Sequence, residues 1–230
     1  MLADHGSGSS PGEAALPPEP RWRRQFAARY DRCSAPAQRR WAAMLREQLV
    51  ASVGGKVLEI GAGTGANLPF YRSADHVTAS EPSAAMRARL AAKLGQAGVP
   101  IDVVDAAAGA LPFPDASFDA VVSTLVLCTV PDQRQALGEI RRVLKPGGRL
   151  VFFEHVRGRG LAALAQDMIT PLTRVLAAGC HPNRDTAAAV AVAGFGIETI
   201  VTIKPSPHMP LIAPFIHGTA RPHEASRPGG

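Results

Sequence analysis

One short segment limits the folds open to this chain more than any other. Residues 57–71 read VLEIGAGTGANLPFY, in which an apolar strand pattern runs into a turn with Gly61, Gly63 and Gly65, followed by a predicted helix. Glycine can adopt a positive φ and lets a ligand approach the backbone without meeting a Cβ atom. In open α/β sheets, nucleotide-like ligands bind outside the carboxyl ends of the strands. The segment therefore predicts a parallel α/β sheet with a ligand site beside its first strand.

The rest of the chain alternates between strand and helix patterns. Apolar segments bounded by turn residues predict strands at 56–60, 76–80, 101–104, 118–127, 148–156 and 196–203. Helices are predicted over 83–98, over 131–144 with a stop at KPGG, over 161–178 and over 184–194. Residues 209–220 are a candidate seventh strand, although Pro210 and Pro214 limit its backbone donors. We predict a doubly wound, mostly parallel seven-stranded α/β sheet.

The positive charge of the chain is confined to one segment. The net charge is +6, and residues 21–50 alone contain eight Arg against two acidic residues, which accounts for the whole excess. Trp22, Phe26 and Tyr30 follow helical spacing within it. We predict a basic helical cap over 21–52 that could contact nucleic acid or an anionic membrane. Nucleic acid is disfavoured, because no basic, aromatic-interleaved surface is visible elsewhere.

The two ends of the chain differ in composition from the middle. Residues 1–20 and 221–230 are non-periodic and rich in Pro, Gly and Ser, which predicts disordered tails around a domain over 53–220. No apolar run approaches the roughly 18 residues that span a bilayer. The N-terminus also lacks the pattern of a signal peptide. We expect a cytoplasmic protein, with peripheral membrane contact as an option.

Cysteine spacing argues against a metal centre. Cys33, Cys128 and Cys180 are far apart, and none belongs to a CxxC pair. Disulfide scaffolds and structural zinc sites usually show paired or regularly spaced cysteines. We therefore expect buried, reduced thiols and no metal site.

The glycine turn alone does not identify its ligand. Gly61, Gly63 and Ala66 also satisfy the dinucleotide pattern G-x-G-x-x-G/A. A pyrophosphate, however, needs an open helix N-terminus, and here the turn is followed by bulky, Pro-containing sequence. The chain also lacks an obvious nicotinamide subsite, so a dinucleotide is the less favoured ligand.

Four blocks in order carry a family resemblance. ExGxGxG (59–65), an acidic residue ending the second strand (Glu81), LPFPDASFDAVVS (111–123) and LGEIRRVLKPGGRLVFFE (137–154) resemble the class I S-adenosylmethionine-dependent methyltransferases. The branch with the quinone-biosynthesis C-methyltransferases is the most similar, over roughly residues 22–204. The resemblance implies a Rossmann-like methyltransferase fold with N-terminal capping helices and S-adenosylmethionine as cofactor.

Shorter segments resemble a narrower group. STLVLCTV (123–130), FFEHV (152–156), GCHPNRDT (179–186) and PFIHG (214–218) are similar to the thiol S-methyltransferases of animal microsomes and their bacterial relatives. The animal proteins carry an N-terminal membrane-anchoring helix, whereas this sequence has a polar segment there. Membrane residence is therefore not carried over by the resemblance.

The resemblance also implies roles for cofactor-binding residues. Glu59 and the turn glycines would surround the methionine part, Glu81 would take the ribose hydroxyls, and Tyr30 would close over the methionine end. Ser123 and the residues after it would face the methyl group. The adenine stretch is DAAAGALPF, without the usual polar side chain. Adenine would then rest on the backbone near Ala107 and Ala108, or on Asp105.

Two histidines are the candidate catalytic residues on the acceptor side. A thiol acceptor only has to lose its proton, because the thiolate is the nucleophile, whereas a phenol or amine more often needs a base. His155 lies at the end of the fifth predicted strand and His181 in a loop before Pro182, and either could accept that proton or have a structural role. Cys128 is read as a packed thiol, and Asp167 either lines the acceptor pocket or lies on a solvated helix face.

The sequence thus predicts a methyltransferase acting on a small lipophilic molecule, with a thiol as one candidate acceptor. A lipid amine or a quinone-like ring is the alternative within the same class. From other classes, a peripheral membrane protein or a nucleic-acid-binding protein using the basic cap remains open.

Overall fold

The computed structural model describes residues 20–37, 41–177, 179–204 and 214–223. Most of both predicted tails, and part of the segment 209–220, lie outside these residues. The helices are α1 (Arg21–Ala37), α2 (Ala43–Val50), α3 (Ala84–Ala91), α4 (Gln133–Val143), α5 (Leu161–Leu176) and α6 (Thr186–Val192). The strands are β1 (Gly55–Ile60), β2 (Ala74–Ser80), β3 (Ile101–Val104), β4 (Phe118–Thr124), β5 (Leu144–His155), β6 (Phe195–Ile203) and β7 (Phe215–Pro222).

The seven strands form one sheet in the order β3-β2-β1-β4-β5-β7-β6. All neighbouring pairs are parallel except those of β7, which runs antiparallel to β5 and β6. The strand order reverses between β1 and β4, which is where open α/β sheets form their ligand crevice. The predicted seven-stranded, mostly parallel sheet is confirmed.

Both faces of the sheet are covered, as a parallel sheet requires. On one face, Leu58 and Phe152 pack with the apolar stripe of α4, which includes Leu137 and Ile140. On the other, Val57 and neighbouring strand residues pack with residues at the end of α2. Alternate residues of a central strand face opposite covered layers. The central strands are therefore apolar along nearly their whole length.

Several boundaries differ from the prediction. β4 ends at Thr124 rather than at residue 127, because Leu125 has a positive φ of 62° that breaks the extended backbone. α4 ends at Val143, one residue before the predicted end, and KPGG lies in β5, which begins at Leu144. β7 continues to Pro222, beyond the predicted start of the C-terminal tail.

Two predicted helices are also shorter in the structure. The glycine turn leads into a single 3₁₀ turn, Leu68–Phe70, with Pro69 near its start. The helix predicted over 83–98 divides into α3 and a 3₁₀ turn, Leu94–Gln96. Neither difference moves the strand ends that form the crevice.

Candidate active site

The glycine turn after β1 has the conformation that the sequence predicts. Gly61, Gly63 and Gly65 have φ values of +54°, +57° and +82°. A Cβ on Gly61 would lie 2.7 Å from the Val126 side chain, and one on Gly65 would lie 2.7 Å from Leu68. On Gly63 it would approach only a carbonyl oxygen, at 3.9 Å. Two of these glycines are therefore required by packing, and the third borders open space.

Glu81 ties the end of β2 to this turn. Its carboxylate accepts hydrogen bonds from the backbone N–H of Gly63 and from that of Ser83, both at 2.9 Å. The Ser83 hydroxyl in turn caps α3 by accepting from the Met86 N–H. Glu81 is 8% exposed, so a carboxylate is held at the turn with little freedom to move.

A buried polar network lies behind the turn. The Glu59 carboxylate accepts from Asn67 Nδ2 and from the Tyr71 hydroxyl, each at 2.8 Å. Arg46 Nη1 donates to Asn67 Oδ1 at 2.6 Å and to Thr124 Oγ1 at 2.9 Å. Burial raises the pKa of Glu59 to about 7, although Tyr71, Arg46 and Asn67 oppose the shift. Near neutral pH, a carboxyl group with this pKa is divided between its protonated and ionised forms.

Arg46, one of the eight arginines of the predicted basic cap, is buried. Its side chain is 2% exposed, and its Nε has no hydrogen-bond partner among the described residues. Burial lowers the pKa of this guanidinium, and nearby Tyr30 and Glu59 oppose the shift. One of the eight arginines is thus part of the site, whereas Arg24, Arg29 and Arg32 are exposed on α1.

Tyr30 lies near the glycine turn because α1 is anchored there. The neighbouring Asp31 accepts from the Thr64 hydroxyl at 2.5 Å and from Lys93 Nζ at 2.8 Å. Phe26 packs against the Tyr30 ring, with centroids 5.5 Å apart. Burial raises the pKa of Tyr30, and nearby Arg46 opposes this, while Cys128 and Glu81 add to it. The helical cap is therefore held beside the glycine turn by the contacts of Asp31.

The stretch predicted to contact adenine, which begins at Asp105, offers mainly backbone groups, because its one acidic side chain is already in an ion pair. Ala107 pairs with Ala110 in an isolated antiparallel bridge. Ala107 is exposed, and Ala108 is buried. Asp105 forms an ion pair with Arg87 at 2.6 Å, and the same arginine donates to the Glu81 carbonyl oxygen.

Ser123 is turned toward the carboxylate of Glu154, a residue that the sequence did not predict for the site. Its hydroxyl donates to Glu154 at 2.7 Å, and the backbone N–H groups of Val126, Leu127 and Cys128 donate to the same carboxylate. Glu154 is fully buried, and burial raises its pKa against these hydrogen bonds. The loop after β4 is therefore wrapped around Glu154, which fixes the position of Cys128.

The acceptor side brings together two cysteines and the predicted His155. His155 Nδ1 lies 3.6 Å from Cys128 Sγ and 3.7 Å from Cys180 Sγ. The imidazole also packs on Phe215, with centroids 4.3 Å apart. The hydrogen bond between the thiols raises the pKa of Cys128 and lowers that of Cys180, since the pair shares one proton more easily than it loses two.

The other candidate acceptor-side residues lie on the loop between α5 and α6 or beside it. The His181 N–H donates to the Cys128 carbonyl oxygen at 2.8 Å, and His181 Nδ1 is buried without a hydrogen-bond partner among the described residues. Asp167 forms a two-point ion pair with Arg157 and accepts from Asn183 at 2.9 Å. Asp167 therefore anchors α5 to this loop.

The chain is similar in sequence to known methyltransferases. A methyltransferase domain family matches residues 58–152. Thiol S-methyltransferase TMT1A of Homo sapiens is 31% identical over 201 residues, which covers 85% of this chain and 82% of the relative. The chain belongs to the S-adenosylmethionine-dependent methyltransferases. Thiol S-methyltransferase TMT1B of Rattus norvegicus is 36% identical over 170 residues, 71% of this methyltransferase and 69% of the relative.

Solved structures agree with this methyltransferase fold. A SAM-dependent methyltransferase of Thermotoga maritima, described as a possible histamine N-methyltransferase, covers 86% of this chain and 97% of its own at 23% identity, with a TM-score of 0.64. DhpI in complex with SAH covers 88% and 94% at 25% identity, with a TM-score of 0.61. The cofactor is S-adenosylmethionine, and the site fits it: the open space at Gly63 lies beside a fixed carboxylate.

Five residues of the site were not predicted from the sequence: Arg46, Asn67, Tyr71, Glu154 and Cys180. Asn67 and Tyr71 lie in NLPFY, just after the turn, so their proximity to Glu59 was a usable signal. Arg46 is one of eight arginines in its segment, and nothing in the local pattern separates it from the others. Among the described residues, no helix is long and apolar enough to cross a membrane.

Proposed function

We propose that this methyltransferase transfers the methyl group to the sulfur of a small lipophilic thiol. The observation that carries the proposal is the set of proton acceptors beside the crevice. Glu59, Glu154 and Asp167 each accept two or more hydrogen bonds and are committed to the scaffold. His155 Nδ1 lies against two thiols, whereas His181 Nδ1 has no hydrogen-bond partner in the part of the chain that the structure describes, so we assign His181 as the proton acceptor. A weak base of this kind suffices for a thiol, whose pKa is near 8.5.

The extent of the sequence matches supports the same acceptor. The thiol S-methyltransferases match over 170 and 201 residues. Phosphatidylethanolamine N-methyltransferase of Cereibacter sphaeroides matches over 133 residues, and demethylmenaquinone methyltransferase of Renibacterium salmoninarum over 118. The lipid amine and the quinone ring are therefore the second choices.

Cofactor binding is assigned to residues around the turn. The proposed contacts are Glu59, Gly61, Gly63, Gly65 and Tyr30 for the methionine part, Glu81 for the ribose, and the backbone at Ala107 and Ala108 for adenine. Ser123 contributes by orienting Glu154, since its hydroxyl is already bonded there. S-adenosylmethionine supplies an electrophilic methyl group on a sulfonium sulfur. The protein's part is to align the acceptor and exclude water.

An apolar helix face supports a lipophilic acceptor and contact with a membrane surface. Leu161, Leu164, Met168, Leu172 and Val175 lie along one side of α5 and are between 58% and 84% exposed. Exposed Arg159 and Arg174 lie before and within the helix. Apolar side chains flanked by basic ones are typical of helices that lie in an anionic interface. We assign this face, together with the exposed arginines of α1, to the surface of an anionic membrane.

Product detection tests the acceptor. The full chain is incubated with methyl-labelled S-adenosylmethionine and separate panels of alkyl and aryl thiols, amines, quinols, lipid extract and RNA. We expect labelled thioether, and loss of most of it in His181→Ala. His76→Ala is the matched control, because His76 lies on β2 at the opposite end of the strand from Glu81. Label confined to an amine, a ring carbon or RNA would contradict a thiol acceptor.

A further inference from the structure

Three metal-ligating side chains meet beside the crevice, although they are far apart in the sequence. Cys128 follows β4, His155 is the last residue of β5, and Cys180 precedes α6. The two sulfur atoms and an imidazole nitrogen all lie within 4.8 Å of one another. The expectation of buried, reduced thiols and no metal site, drawn from the absence of CxxC pairs, did not anticipate this arrangement. Parallel strands bring their carboxyl ends to one edge, which is how distant residues meet there.

The spacing of the atoms matches the edges of a tetrahedral metal site. Zinc binds thiolate sulfur at about 2.3 Å and imidazole nitrogen at about 2.0–2.1 Å, so tetrahedral angles place S and N about 3.6 Å apart. His155 Nδ1 lies 3.6 Å from Cys128 Sγ and 3.7 Å from Cys180 Sγ. A metal could therefore enter with little rearrangement of these two contacts.

The surrounding structure holds the three residues in place. The Cys128 N–H donates to Glu154 at 3.2 Å, and its carbonyl oxygen accepts from the His181 N–H at 2.8 Å. The Thr173 hydroxyl donates to the Cys180 carbonyl oxygen at 2.9 Å. Phe215 supports the imidazole ring. Fixed ligands reduce the ordering cost of binding, as hydrogen bonds around metal sites do.

The charge and the number of the protein ligands favour a soft divalent ion with one coordination position that the protein does not fill. Two thiolates neutralise a divalent ion, which matters because Cys128 is fully buried and Cys180 is 9% exposed. Within the part of the chain that the structure describes, the group contains no fourth His, Cys, Asp or Glu. Three protein ligands plus an open position are typical of catalytic zinc, whereas structural zinc has four.

We propose that Cys128, His155 and Cys180 hold one zinc ion whose open position binds the acceptor thiol. This rests on the proposed thiol acceptor. Coordination breaks the S–H bond of the thiol, and its proton passes to the unpartnered Nδ1 of His181. The bound thiolate then forms the new S–C bond as the sulfonium C–S bond breaks. The thioether product is neutral and a weaker ligand, so it leaves. His155 is thus a ligand, and His181 remains the proton acceptor.

The position of the cluster suits this role. Val126 packs against Gly61 of the cofactor turn, and Cys128 lies two residues further along the same loop. The sulfur cluster and the cofactor turn are therefore linked through one short stretch of this loop.

Metal content and Co(II) spectroscopy test the site without an activity assay. The full chain is reduced, freed of metal and titrated with Zn(II) or Co(II). We expect one ion per chain and the intense d–d bands and thiolate charge-transfer band of tetrahedral Co(II). Cys128→Ser, Cys180→Ser and His155→Ala should each weaken metal binding. Loss of a hydrogen bond that supports a metal ligand lowers metal affinity roughly 10- to 100-fold, and loss of a ligand itself should cost at least as much. Cys33→Ser and His76→Ala are the matched controls and should bind normally.

The outcomes separate the metal site from the proposed function. A shift of the Co(II) bands on adding an alkyl thiol, and none with an amine, supports coordination of the acceptor. Reduced wild-type protein that takes up no Co(II) overturns the proposal, as does a Cys128–Cys180 disulfide whose reduction restores no metal binding. Thiol methylation by metal-free protein would leave the proposed function standing and remove zinc from it.

Discussion

Arg46 of α2 donates a hydrogen bond of 2.6 Å to Asn67, the residue before the 3₁₀ turn that follows the glycine loop. The contact joins the N-terminal cap to the floor of the cofactor crevice. The amide nitrogen of Asn67 in turn donates a hydrogen bond to Glu59. The cap is therefore part of the site's polar framework, and removing it would leave a buried carboxyl group without its nearby cation.

Replacement of Arg46 should destabilise the protein strongly. Arg46→Met removes a buried cation and leaves Asn67 Oδ1 without this donor, so we expect a loss of about 3 kcal/mol in the free energy of unfolding. Urea unfolding measures it. Arg24→Met on the exposed side of α1 is the matched control and should change stability by less than about 0.5 kcal/mol. Equal losses in the two variants would contradict a structural role specific to Arg46.

Glu59 should make the stability of the cofactor-free protein depend on pH. Its pKa is about 7 in the folded protein, above its ordinary value of 4.5. A carboxyl group with a raised pKa stabilises the folded state below 4.5, and this contribution is lost as the pH rises to 7. Relative to Glu59→Gln, the wild-type protein should therefore lose stability between pH 5 and 8. Urea unfolding at four pH values tests this, with Glu198→Gln as the exposed control. Parallel curves would show that Glu59 is ionised throughout.

Glu81 and Asp105 should differ in their effect on cofactor affinity. Glu81→Gln removes a charged acceptor next to the turn, so we expect roughly a 10- to 100-fold weaker Kd, in line with about 1.5–3 kcal/mol for a charged hydrogen bond. Asp105 is occupied by Arg87. We expect Asp105→Ala to change the Kd by less than about threefold, which is within the range of an exposed ion pair. Isothermal titration with S-adenosylhomocysteine measures both, and the reverse order would assign adenine recognition to Asp105.

Alanine substitutions at two glycines of the same turn should affect different properties, stability in one case and cofactor affinity in the other. Gly61→Ala places a methyl group 2.7 Å from Val126, so stability should fall, and Val126→Ala in the same chain should recover part of it. Gly63→Ala meets no such contact. It should cost only the roughly 1–2 kcal/mol of a positive φ, while weakening cofactor binding through the lost open space. Thermal unfolding combined with cofactor titration separates the two, and unchanged affinity in Gly63→Ala would place the cofactor elsewhere.

The exposed face of α5 should control membrane binding. Leu164→Glu with Met168→Glu should reduce binding to phosphatidylglycerol-containing vesicles by at least about tenfold, since each apolar side chain contributes roughly 1.5–3 kcal/mol when buried. Val192→Glu is the control, because Val192 is 81% exposed but lies on α6. Co-sedimentation measures the binding. Equal binding by all three proteins, or none by the wild type, would remove the membrane from the proposal.

The sequence by itself determined the sheet, the glycine turn and the position of Glu81. These depend on local patterns: strand and helix periodicities, glycines with positive φ, and an acid sixteen residues beyond the last of them. Strand ends were less certain. The positive φ of Leu125, which ends β4, comes from a loop that folds around Glu154, and this is not a local property.

Only the tertiary structure decided which polar residues share the crevice. Arg46 meets Thr124 across 78 positions of sequence, and Cys128 and Cys180 meet at His155. Local sequence propensity cannot predict such contacts. Whether a polar side chain faces solvent or the crevice depends on how the helices dock on the folded sheet. The parallel strand order then brings the ends of β1, β4 and β5 to one edge, where distant side chains become a single site.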